Sequence, residues 1–176
     1  MNLRIHLRHA ISKLALGILR VRTSYSPGSI EMLHRGRVIV CANHVSLLDG
    51  VIVALASPVP LTFGVDTEFS RRSSLTSSGM GLLAWLGFGA VVPIDAASPF
   101  GLRSLRKALD SGESVMVFPE GGISPNGAPQ PERPGVTWLA NRTGSPVLRV
   151  QIRGAERSRL FAKSGRDLWP RIEINF

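Results

Sequence analysis

Two short clusters carry side chains able to do acid–base work. One is Asn43-His44-Val45-Ser46-Leu47-Leu48-Asp49 and the other Phe118-Pro119-Glu120-Gly121-Gly122. An unperturbed imidazole titrates near pH 6.5, so at neutral pH it accepts a proton from a hydroxyl, and a carboxylate on its other nitrogen fixes the tautomer. His44 is the candidate base and Asp49 its orienter. Five residues along a straight helix turn through about 500°, which sets the two side chains on different faces, so His44 must lie in a turn ahead of the helix. Ser46 is placed to be the N-cap of that helix. The same four residues, Ser46 to Asp49, also read as a capping box that needs no chemistry. In the second cluster a carboxylate and exposed backbone amides could meet substrate hydroxyls or phosphates; the bland alternative is a Pro/Gly turn with a solvated Glu.

Both clusters stand where apolar runs end. Residues 37–42, 61–65, 90–94, 114–118 and 147–152 read as strands, and the alternating 171–176 as another. Helical patterns lie between them at 47–56, at 99–109 with Ser98 as N-cap, and at 136–142 closed by Gly144. Alternation of this kind predicts an α/β fold, a central mixed and largely parallel sheet flanked by helices, with reactive residues at strand ends. The most apolar stretch, 79–94, is short of the roughly 20 residues of a spanning helix and is interrupted by glycines and a proline, so it reads as helix plus strand. The 176 residues suit one domain, residues 1–176.

At the start of the chain Leu3, Leu7, Ala10, Ile11, Leu14, Ile18 and Val21 recur three or four apart, with Arg4, Arg8, Lys13, Arg20 and Arg22 around them. This predicts an amphipathic helix within residues 1–23, suited to a membrane surface and equally to covering a core, ahead of a catalytic core at 37–176. Its uncharged apolar run is too short for a signal peptide. A second basic segment, 153–171, carries Leu160, Phe161, Leu168 and Trp169 and could hold lipid headgroups or an acidic carrier.

Lys and Arg outnumber Asp and Glu by 21 to 12, a net charge of +9, which attracts the phosphates of nucleic acid, lipid or cofactor. Aromatics make up only 6% of residues and no nucleic-acid motif is present, so nucleic acid is set aside. Cys41 has no second thiol to pair with, which fits a reducing compartment, and its place inside an apolar strand reads as packing rather than nucleophilic chemistry. His6 and His9 lack a third ligand, so no metal is expected.

Taken together, the His44/Asp49 motif and the Phe118-Pro119-Glu120-Gly121 motif resemble the signature of the glycerolipid acyltransferases, which act on glycerol phosphate and lysophospholipids. Most of the chain, including the stretches HVSLLDG, VVPIDAASP, VMVFPEGGIS and IRGAE, looks like the acyltransferase half of the bifunctional 2-acylglycerophosphoethanolamine acyltransferase and acyl-carrier ligase. The resemblance implies His44 as general base, Asp49 as orienter, and Phe118, Pro119, Glu120 and Gly121 as the segment that holds the acyl acceptor. It departs where the family has an arginine soon after the second motif, here Gly122 and Ile123, and where its glycine-rich middle motif often has another, here Asp95. Arg149 stands where the family's late proline would fall and is the candidate for the missing phosphate contact. The lost arginines lean away from a phosphate monoester as acceptor.

The expected reaction is transfer of a fatty acyl group from acyl-CoA or acyl-carrier protein, as co-substrate rather than cofactor, to a lysophospholipid hydroxyl. The expected setting is the cytoplasmic face of a membrane, with the protein peripheral or monotopic. The rival readings are a thioester hydrolase and a non-catalytic membrane-binding relative.

Overall fold

A computed structural model describes residues 3–66, 84, 86–94 and 101–176. In chain order the elements are α1 (Leu3–Ile18), β1 (Val21–Ser24), α2 (Pro27–Arg35), β2 (Ile39–Ala42), α3 (Asp49–Ala56), β3 (Leu61–Asp66), β4 (Gly89–Ile94), α4 (Gly101–Asp110), β5 (Val115–Val117), α5 (Gly135–Thr143), β6 (Val147–Arg153), a 3-10 turn (Ala155–Arg157) and β7 (Ile172–Asn175). The strands form one sheet in the order β1-β7-β6-β2-β5-β3-β4. Neighbours run parallel except β6 and β7. The expected mixed, largely parallel sheet with flanking helices is therefore present.

Central parallel strands are covered on both faces, which is why they read as unbroken apolar runs. In β2 every residue is buried. Ile39 and Cys41 join Val115 and Val117 against Leu105 and Leu109 of α4 and Val136 and Leu139 of α5. Val40 and Ala42 point the other way, with Met116, Leu148 and Val150, towards Ile52 and Val53 of α3, Leu33 of α2 and the inner side of α1, Ile11, Ala15 and Leu16. Each fully buried side chain of this size contributes about 1.5–3 kcal/mol relative to exposure, so the two apolar layers fix β2 at the centre and its C-terminal end at a defined place.

Several boundaries differ from expectation for local reasons. Helix α1 stops at Ile18, Arg20 takes a left-handed φ of 54°, and Val21 belongs to β1 rather than to the helical stripe. Arg37 has a φ of 57°, so β2 begins at Ile39 and not at residue 37. Strand β1 and helix α2 were not foreseen. Helix α2 nonetheless carries its signals: the Ser26 side chain accepts from Ser29 N–H, Pro27 opens the first turn and Gly36 follows the last. Helix α5 ends at Gly144 with φ 65°, as expected. Residues 79–83, Asp95, Ser98 and Pro99 lie outside the described residues.

Candidate active site

The site forms at the C-terminal ends of β2 and β5. Beyond Ala42, the Asn43 amide donates to the Ile152 carbonyl at 2.9 Å and accepts from the Ile152 N–H at 2.8 Å, tying the end of β2 to β6. His44 follows in a turn, as the helix geometry required. Its Nδ1 lies 3.0 Å from Asp49 Oδ2, with the His44 side chain 13% exposed and that of Asp49 fully buried. A carboxylate can only accept, so Nδ1–H donates and the lone pair sits on Nε2.

The expected cap is corrected here. Leu48, not Ser46, is the N-cap residue, and α3 starts at Asp49 rather than at residue 47. Asp49 explains the shift, because its carboxylate saturates the turn that would otherwise be helical. Oδ2 accepts from Val45 N–H at 2.6 Å and Ser46 N–H at 2.7 Å, and Oδ1 from the Ser46 hydroxyl at 2.6 Å. Ser46 Oγ in turn accepts from Leu48 N–H at 3.2 Å. One buried carboxylate thus both builds the turn and orients the imidazole.

The second cluster closes over the first. The Phe118 ring stacks on the His44 imidazole with centroids 3.9 Å apart and planes 12° from parallel. Glu120 Oε1 accepts from His44 N–H at 3.4 Å, and Ser124 N–H donates to the His44 carbonyl at 2.8 Å. Glu120 Oε2 is buried without a hydrogen-bond partner among the described residues. Burial pushes the Glu120 carboxyl up, against the lowering effect of backbone N–H groups and His44. A buried acceptor of this kind is suited to a ligand hydroxyl. Pro119 is buried beneath the turn, and Gly121, at φ 70°, supplies the left-handed step after Glu120. Burial also pushes the Cys41 thiol up to about 12, so it stays protonated inside β2.

A family model described as Acyltransferase matches residues 27–153, which include both clusters. The chain belongs to the acyltransferase family. This acyltransferase is also similar in fold to the crystal structure of the 1-acyl-sn-glycerophosphate (LPA) acyltransferase PlsC from Thermotoga maritima, with a TM-score of 0.64 and 23% identity. The likeness covers 97% of this chain but 66% of that one, so this chain spans just under two thirds of that protein's length.

Arg149, the sequence candidate for a phosphate contact, is engaged within the acyltransferase. It pairs in register with Cys41, three residues before His44. Its guanidinium forks onto Glu132, with Nη2 3.0 Å from Oε2 and a second, shorter contact from Nη1 to Oε1. That bond holds the Glu132 carboxyl below its usual range. Two contacts that the sequence did not show brace the second motif and the residue after it: the Arg133 backbone N–H donates to the Pro119 carbonyl at 2.8 Å, and Lys163 Nζ donates to the Ile123 carbonyl at 3.0 Å. Only the proline-rich run after Asn126 hinted that this loop would fold back.

Helix α1 is two-faced, but not along the expected stripe: Ile11 meets the core together with Ala15 and Leu16, while the stripe residues Leu7, Leu14 and Ile18 are more than half exposed. Beside them the Trp169 indole donates to the Ile18 carbonyl at 2.7 Å, and Leu168 and Trp169 are exposed. Arg8 departs from the pattern by turning inward, onto the Ser57 carbonyl and the Phe88 ring. No helix among the described residues is long and apolar enough to cross a membrane.

Proposed function

We propose that this acyltransferase moves a fatty acyl group from acyl-CoA or acyl-carrier protein to the free hydroxyl of a lysophospholipid or acylglycerol phosphate. His44 is the general base. The observation that carries the reading is the His44 Nδ1–Asp49 Oδ2 bond, which leaves Nε2 as the basic atom, while Glu120, with one carboxylate oxygen buried and without a hydrogen-bond partner among the described residues, meets the same residue at its backbone N–H.

The acceptor hydroxyl gives its proton to Nε2 as its oxygen attacks the thioester carbonyl. Asp49 stabilises the imidazolium that forms. The tetrahedral oxyanion collapses, the C–S bond breaks, and the thiolate leaves as an anion or takes the proton back from His44. Glu120 accepts from a second polar group of the acceptor and holds it against Phe118, Pro119 and Gly121. Exposed Leu14, Ile18, Leu168 and Trp169, with Lys13 and Arg20 nearby, give an apolar and basic face that rests on an anionic lipid surface. The setting is the cytoplasmic side of a membrane, with the protein peripheral or monotopic.

The test is incubation of the purified protein and of His44→Ala with radiolabelled acyl-CoA or acyl-carrier protein and lysophospholipids in liposomes, followed by separation of diacyl lipid from free fatty acid. Diacyl lipid is expected from the wild type, with His44→Ala slower by about 10²–10⁴-fold. Free acid alone would make the protein a thioester hydrolase. No product with any pair would leave a membrane-binding relative without catalysis.

A further inference from the structure

We propose that Arg8 and Tyr25, neither of which reaches the site, are positioning residues that set Asp49 against His44 by holding the far end of α3. The inference rests on the acyl-transfer reading and adds to it what aligns the base.

The His44–Asp49 bond joins two different parts of the fold. His44 is pinned from the sheet side: its N–H meets Glu120, its carbonyl accepts from Ser124 N–H, and its ring stacks on Phe118. Asp49 is instead the first residue of α3. That helix has eight residues, a rise of about 12 Å, and moves as one rigid piece. A shift at its C-terminal end therefore reaches the Asp49 carboxylate.

Two side chains from the start of the chain hold that end. The last carbonyls of a helix have no partner within it, and here Ala56 and Ser57 are buried, away from bulk water. The Tyr25 hydroxyl donates to the Ala56 carbonyl at 2.6 Å, and the Arg8 guanidinium donates to the Ser57 carbonyl at 3.0 Å. Each is steadied in turn. Tyr25 stacks on Phe176 with centroids 5.3 Å apart, and Arg8 lies over the Phe88 ring, 5.3 Å from its centroid.

The placement of Arg8 fits this task and no other on its helix. Lys13 of α1 faces solvent, whereas Arg8 is half-buried and pairs with no carboxylate among the described residues. Burial pushes its guanidinium below the usual range. A partly desolvated cation is costly unless its surroundings compensate. The C-terminal end of a helix, the negative end of its dipole, does so together with an aromatic face. Arg8 is matched to the end of α3, and through α3 the seating of α1 against the core and the alignment of the base become one setting.

The experiment measures acyl-transfer kinetics, and the Nδ1–H proton resonance of His44 in protein carrying isotope-labelled histidine. The variants are Arg8→Ala, Arg8→Lys, Tyr25→Phe and the distant surface variant Arg142→Ala, each with Asp49 and again with Asp49→Asn. With Asp49 in place, Arg8→Ala should lower kcat by about ten- to a hundredfold, the loss that follows a misplacement near 1 Å, and leave both KM values within about twofold. Tyr25→Phe should lower kcat by about three- to tenfold. Arg8→Lys, which keeps the charge and a donor, should recover most of the Arg8→Ala loss. In the Asp49→Asn protein the charge that Arg8 places is gone, so Arg8→Ala should cost less than about threefold there. The His44 resonance should shift or broaden in Arg8→Ala and Tyr25→Phe, and Arg142→Ala should change nothing. Where Arg8→Ala fails to fold, Tyr25→Phe carries the same cycle. The same loss with Asp49 and with Asp49→Asn would overturn the proposal, since the residues would then act on the fold and not through the carboxylate. A His44 resonance unmoved in both variants would overturn it without any turnover. A resonance that responds to both, in a wild-type protein that forms no diacyl lipid, would uphold the positioning and remove the acyl-transfer reading.

Discussion

Replacing Asp49 by Asn and by Ala separates the two jobs that this buried carboxylate performs. In Asp49→Asn the side-chain oxygen can still accept from Val45 N–H, Ser46 N–H and His44 Nδ1–H, and the new amide can face the rotatable Ser46 hydroxyl. The turn and the tautomer survive, and only the charge is lost. At a separation of 3.0 Å, a carboxylate and an imidazolium attract by about 5–6 kcal/mol at an effective dielectric constant near 20. Since imidazolium forms only as the reaction proceeds, kcat should fall by up to about 10⁴-fold, and by 10²-fold where water or relaxation supplies half of that energy. Asp49→Ala leaves two buried backbone N–H groups without an acceptor, at about 1–3 kcal/mol each, so it should lower Tm by roughly 5–20 °C. Thermal unfolding followed by circular dichroism gives stability, and single-turnover acyl transfer gives the rate. An Asp49→Asn protein with a near-wild-type Tm and a kcat within threefold of wild type would refute the catalytic role and leave Asp49 as a turn-building residue only.

Four further outcomes follow from the same geometry. Phe118→Leu removes the ring stacked on His44 and should cost about three- to tenfold in kcat with acceptor KM within twofold, as expected of a residue that steadies the imidazole. Glu120→Gln should lose activity yet gain thermal stability at pH 7–8. Because burial raises the folded-state pKa of Glu120, the native protein holds the extra proton between the unfolded and folded values, and wild-type stability falls as pH rises through that window. The advantage of Gln should therefore shrink to nothing in melts taken below the ordinary carboxyl range. Cys41, with its thiol pushed up to about 12, should resist iodoacetamide at pH 8 in the native protein and react in guanidinium; rapid native labelling with loss of activity would reopen a covalent route. Leu14→Glu, on the outer face of α1, should weaken flotation with anionic vesicles while leaving Tm within about 2 °C; unchanged flotation would refute α1 as the lipid-facing element.

The pairing of His44 with Asp49 was legible because both lie within one short segment whose geometry follows from helix periodicity. The central strands were legible because burial on both faces leaves a continuous apolar run. The pairing of Arg149 with Glu132 was not legible because the two are 17 residues apart in sequence, and nothing local records that their side chains meet. Lys163 and Ile123 are 40 residues apart and join only through the fold. Strand β1 escaped notice because an edge strand of four residues, alternately exposed, has too little apolar character to stand out. The signals of α2, Ser26-Pro27 and Gly36, were in the sequence, but they surround a helix only nine residues long. The placement of Ser46 failed for a different reason: four donors compete for one carboxylate, and hydrogen-bond saturation outweighed the capping preference of Ser.

The edge strand β1 has a consequence for how the chain comes together in time. It pairs with β7, Val21 to Ile172 through Ser24 to Asn175, and Ile18 is tied to Trp169 across 151 positions of sequence. At a synthesis rate of about 5–20 residues per second, the partner strand emerges some 8–30 s after β1 does. Through that interval the C-terminal end of α1 has no sheet edge to rest on, and only contacts such as that of Arg8 with the Ser57 carbonyl are open to it. A nascent chain therefore presents a basic, apolar helix to its surroundings before the His44 turn has all its supports, so contacts made by α1 can precede the final step of folding.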